Sequence, residues 1–197
     1  MNKFFTTLIT VFAISASAFS QTKGTNEVSV NVGYNAATVT ANNLSADYKS
    51  GFNVGIALDH YFSESWSIKV KAAYDQKGWA NGFYGNSVAD YKLDYVTVPV
   101  MANWHFGRTK NWYLNFGPYI GFLLTASETS GGTDVKPFFS TTDAGLDAGI
   151  GVKFPISNKA KFFIELNGQA GIADINKGNS GTTIRNSVSN INIGFAF

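Results

Sequence analysis

The chain contains no cysteine. That absence excludes disulfide frameworks, thiolate metal sites, cysteine nucleophiles and a lipid-modified N-terminal cysteine. Charge is also scarce: 14% of the 197 residues are charged, against roughly a quarter in a typical soluble domain. The formal net charge of +2 gives no long-range pull on nucleic acid or on an anionic membrane surface. There are only two histidines, His60 and His105, and no H-E-x-x-H, G-x-S-x-G or P-loop motif. The Gly-rich "GGTDVK" precedes no helix that could hold a phosphate. No cofactor is expected. What the chain has instead is glycine, 20 residues, and phenylalanine, 17 residues.

The N-terminus reads as a secretory signal. Lys3 supplies the positive start, "FFTTLITVFAISASAF" the apolar stretch, and Ala16-Ser17-Ala18 or Ala18-Phe19-Ser20 the small-residue cleavage site. Thr6, Thr7 and Thr10 interrupt the run, which falls short of the roughly 20 apolar residues of a spanning helix. Residues 1–20 are therefore expected to be cleaved, leaving a single exported domain over 21–197.

Beyond the signal the recurring period is two, the mark of strands with unlike faces. Val28, Val30, Val32 and Tyr34 alternate with small or polar residues. So do Phe52 to Leu58, Trp66 to Tyr74, Val96 to Phe106, Leu114 to Leu124, Ala144 to Phe154, Phe162 to Leu166, and the closing "NINIGFAF". These make about eight strands of roughly ten residues, the number and length of a small membrane-spanning barrel. Alternate connections are short ("SES", "GRTKN", "PISNKA"), whereas the others, 41–47, 76–92, 126–142 and 174–186, are long and polar. Outer-membrane barrels sort their connections in this way, with turns periplasmic and loops extracellular. The spacing thus predicts an eight-stranded antiparallel up-and-down transmembrane β-barrel with Phe197 at the periplasmic boundary.

Volume decides which face is inside. An eight-stranded barrel has room only for packed side chains; the Gly, Asn, Ser and Ala face fits, and the Phe, Trp, Ile and Leu face does not. A solvent-facing polar surface would also be far denser in Lys and Glu. Inward residues then include Asp59, Lys69, Lys71, Asp75, Asp147, Lys153, Glu165, Asn167 and Gln169. Their charges must pair, and register counted from "SES" sets Asp59 opposite Lys69. Plugging the lumen is the reading preferred over a gate for small ions. Phe62, Trp66, Trp104, Phe106, Trp112, Phe154 and Phe162 flank the short turns. With Phe197 they suit a periplasmic aromatic girdle.

These residues resemble a known family. The signal, "VTVPV", "GPYIGFLL", "DAGLDAGIGVKF" and the terminal "NIGFAF", in that order, are similar to the small porin-like outer-membrane β-barrel proteins of Gram-negative bacteria. The resemblance implies that Ile193, Phe195 and Phe197 form the signal read by the barrel-assembly machinery, that the partner is outer-membrane lipid, and that no shared active site exists. A monomer with a structural or interactive role is expected; a narrow solute pore and a soluble periplasmic lipid-binding barrel are the alternatives. Three smaller expectations follow from the residues. Pro99 and Pro118 share one β-bulge. The histidines lie at the turn end, away from the rim where a lipid hydrolase would need one. Glu128 and Asp134, without EF-hand spacing, are a weak Ca²⁺ candidate.

Overall fold

A computed structural model describes residues 23–41, 46–84, 87–177 and 181–197. The expected signal peptide lies outside the described residues. Eight strands follow one another: β1 (Asn26–Ala41), β2 (Lys49–Tyr61), β3 (Trp66–Tyr84), β4 (Ser87–Phe106), β5 (Trp112–Glu128), β6 (Thr142–Pro155), β7 (Lys161–Gly171) and β8 (Ile184–Ala196). Each pairs antiparallel with the next, and β8 returns to β1, so the sheet closes and leaves no edge. Short turns at 62–65, 107–111 and 156–160 mark one end.

Burial follows the period-two pattern. Val54, Ile56 and Leu58 on β2 are exposed while Asn53, Ala57 and Asp59, in the alternate phase, are buried. The same holds on β8, where Ile191, Ile193 and Phe195 face out and Asn190, Asn192 and Ala196 face in. The bulky apolar side chains therefore form the outer wall. A soluble barrel with a greasy dry centre would need the reverse, and that alternative is overturned.

Two expectations are corrected. Residues 76–84 and 87–92 are strand rather than loop: β3 and β4 run on as a long hairpin, paired from Gln76–Asp94 to Tyr84–Ser87. Two features hid it. A register shift between Trp79 and Gly82 breaks the period, helped by Gly78 at φ 125° and Asn81 at φ 49°. The polarity of the faces also reverses there, with Trp79, Tyr91 and Leu93 buried inside and Asp90 and Lys92 on the other face.

The prolines do not share a bulge. The β3–β4 ladder pauses between Val70–Val100 and Ala73–Thr97, around Pro99. The β4–β5 ladder pauses between Pro99–Tyr119 and Ala102–Phe116, around Pro118. Neither gap changes register, so each proline drops its own rung without inserting a residue. The β4–β5 register shift lies elsewhere, at Asp94/Tyr95.

Candidate functional site

The lumen is filled in tiers. Nearest the short turns, Lys153 binds Glu27, which also accepts from Lys161 at 2.7 Å and from the Tyr61 hydroxyl at 3.4 Å. Beside this group Lys69 stands between Asp59 (3.7 Å) and Glu165 (3.6 Å); Asp59 and Lys69 are direct cross-strand partners. Ser67 and Asn103 donate to Asp59 at 2.8 and 3.0 Å. Tyr113 and Asn115 donate to Glu165 at 3.0 and 2.8 Å. Such second donors are what a buried carboxylate needs once its lysine is in place.

The middle tier is mostly amide. Asn31 donates to Asn53, and Asn53 to Asn35, at 2.8 and 2.7 Å. Asp75 accepts from Asn35 and Gln169, at 3.4 and 3.5 Å, and Asp147 accepts from Asn167 at 2.6 Å. Lys71, half-buried, lines a cavity of about 10 Å³ with Asp75, Asp147 and Gln169, the size of one ordered water.

At the long-loop end Lys77 meets Asp143 at 3.1 Å, both side chains fully buried. Tyr119 and Asn186 donate to the same carboxylate at 3.1 and 3.0 Å, and the Lys77 ammonium lies over the Tyr119 ring, 4.6 Å from its centroid.

Above that pair the interior turns apolar. Trp79, Leu93, Tyr91, Phe139, Ile175 and Ile184 pack into one buried cluster. Phe139 and Ile175 come from the long connections rather than the wall. Residues 129–141, containing a 3₁₀ turn at Lys136–Phe138, fold in over the mouth. They are tied by Val135 donating to the Ala126 carbonyl (3.0 Å) and Ser140 to that of Ile175 (2.8 Å).

Sequence reasoning missed Glu27, Lys161, Lys77 and Asp143. Extending the inward phase two residues at each strand end, from Ser29 to Glu27 and from Asp75 to Lys77, would have found two of them. The apolar cap had no such signal, because its members straddle strands and loops.

The aromatic residues near the short turns stand outside the wall. Phe62, Trp66, Trp104, Trp112, Phe154, Phe195 and Phe197 are exposed, and Phe106 and Phe162 are half-exposed. Trp104 stacks on Trp66 and Phe106, with centroids at 6.1 and 5.0 Å; Phe162 contacts Phe154 and Phe195 at 6.3 and 5.7 Å. His60 faces outward, its Nδ1 paired with Asn26 at 2.8 Å, and His105 is buried against Ser67 at 3.4 Å. Glu128 and Asp134 direct their carboxylates to their own loop, Glu128 to the Ser130 and Gly131 amides and Asp134 to that of Lys136. No metal-ligating cluster occurs among the described residues.

A closed eight-stranded cylinder with a greasy exterior and a polar packed interior defines the class of transmembrane β-barrels. Residues 19–177 match the family model of the outer membrane protein beta-barrel domain, and the chain belongs to that family of outer-membrane barrels. No curated protein matches it by sequence. Among solved structures it is similar to the outer membrane protein OprG from Pseudomonas aeruginosa (15% identity, TM-score 0.56, covering 90% of this chain and 98% of that one). It is similar also to Neisserial surface protein A (17%, 0.56, 87% and 95%) and to Ail, the attachment invasion locus protein of Yersinia pestis (18%, 0.51, 89% and 99%). At such identities the likeness concerns the fold.

Proposed function

We propose that this protein is a non-conducting, non-enzymatic wall element of the outer membrane that acts through its extracellular loops. The observation carrying this reading is the stacking of three polar tiers beneath an apolar cap, with the Lys77–Asp143 pair at 0% exposure. Asp59, Lys69, Lys71, Asp75, Asp147, Lys153 and Glu165 serve as a plug. A water file through the lumen would have to thread between buried ion pairs that are also held by second hydrogen-bond donors. In the same reading Phe62, Trp66, Trp104, Phe106, Trp112, Phe154 and Phe162 anchor the barrel in the periplasmic interface. The terminal strand, through Ile193, Phe195 and Phe197, is what the barrel-assembly machinery engages after the signal over 1–20 is removed, and the protein works as a monomer. The loop end presents Tyr48 and Phe138, 68% and 51% exposed, to a surface or partner.

Planar-bilayer recording tests this. The unaltered protein and Lys69→Ala should both give no steady single-channel steps. Large, uniform steps from the unaltered protein would replace the plug with a narrow solute pore.

A further inference from the structure

The small net charge conceals a strong segregation. Inside the barrel six carboxylates face five lysines, and on the extracellular loops and strand tips six carboxylates face five cations. Each of those regions sums to minus one. Counting side chains, the short-turn end is different: Lys23, Arg108, Lys110 and Lys159 face a single acidic side chain, Glu64. Lys110 is committed to Glu64 at 2.6 Å, and its hydrogen bond lowers the Glu64 pKa. Three exposed cations remain, and among the described residues none of the three forms an ion pair. Apart from Lys3, the whole positive excess of the chain sits on this rim.

Each free cation lies on a segment of chain that adjoins girdle aromatics. Arg108 occupies the turn between Phe106 and Trp112, whose ring reaches within 3.7 Å of a Cβ position at Gly107. Lys159 occupies the turn between Phe154 and Phe162. Lys23 precedes Gly24, whose amide donates to the Tyr61 carbonyl at 2.7 Å, next to Phe62. Aromatic girdles of membrane barrels settle at the membrane–water interface, so these cations are held near the depth of headgroup phosphates and spaced around the wall. Guanidinium and ammonium groups there match a phosphate oxyanion by charge and by donor geometry.

From this we propose that the periplasmic rim is a collar that selects net-anionic glycerophospholipids, such as phosphatidylglycerol, from the adjoining leaflet. A zwitterionic headgroup offers the same phosphate but cancels its charge with its own ammonium, so it gains much less. One cation near a membrane surface favours an anionic headgroup about fivefold; averaged over the whole lipid shell, about two- to threefold remains.

The test uses the full mature chain folded in phosphatidylcholine vesicles, with spin-labelled phosphatidylglycerol or phosphatidylcholine as trace probe. The motionally restricted fraction of each label gives their relative association. The expected ratio is about two to three in favour of phosphatidylglycerol, falling towards one in 1 M salt, where screening is short-ranged. Lys23→Gln/Arg108→Gln/Lys159→Gln, shown folded by its heat-modifiable gel mobility, should bring the ratio to about one, whereas Lys136→Gln/Lys177→Gln on the loop side should leave it unchanged. A ratio of one in the unaltered protein, an undiminished ratio in the triple variant, or an equal fall in the loop-side variant would overturn the collar.

Discussion

The residues that decide this structure are buried charges in a cylinder too narrow for bulk water. Lys77 and Asp143 are the sharpest case, because both are fully buried and Asp143 also holds Tyr119 and Asn186. Lys77→Met should cost about 3–5 kcal/mol by leaving the carboxylate unpaired, read as a lower urea midpoint for unfolding from vesicles. Lys77→Met with Asp143→Leu should recover most of that loss, because an apolar pair needs no partner. A single variant as stable as the parent would show that water already reaches the pair. Gly117 makes a steric point at the same scale. A Cβ there would lie 2.1 Å from the Val100 carbonyl oxygen and 2.8 Å from the Met101 Cα. Both are backbone atoms that cannot swing aside, so Gly117→Val should abolish the heat-modifiable band on a gel, while Ile120→Val on the outer face should preserve it.

Among the elements, the strands were legible and the extracellular superstructure was not. Alternation identifies a strand only while one face differs steadily from the other. That condition holds from Val28 to Tyr34 and from Val54 to Leu58, where hydrocarbon lies outside and amide or charge within. It fails at Trp79 and Leu93, towards the tip of the hairpin, where Asp90 and Lys92 lie outside and the interior is packed with rings. The hairpin over 76–92 therefore read as a loop. The cap is equally invisible, since nothing near Phe139 or Ile175 says that the two meet until the chain has closed. Phe139→Ala should loosen this cap alone. Amide exchange at Val135 and Ser140, which donate to Ala126 and Ile175, should speed by tenfold or more, and exchange in β7 should stay as it was. Equal acceleration in β7 would mean that cap and wall unfold as one unit.

Taken whole, the molecule sorts its side chains by solvent. Lipid receives the branched and aromatic residues, the lumen receives amides and nearly balanced charges, and the short-turn rim keeps the surplus cations. The fold class and the outward face follow from composition and period because both are consequences of that sorting. What the loops bind does not follow, since it rests on shapes that polar loop composition does not encode.

The outward face is the claim on which the rest depends. The cysteine-free sequence permits a direct test by single nitroxide labels, introduced one at a time at Val54, Asn53, Ile56, Ala57 and Leu58 in bilayers. Labels at Val54, Ile56 and Leu58 should collide with dissolved oxygen and be shielded from a water-soluble nickel complex, and labels at Asn53 and Ala57 should be shielded from both. If the even-numbered labels met the nickel complex and not oxygen, the wall would face water and the account would be wrong.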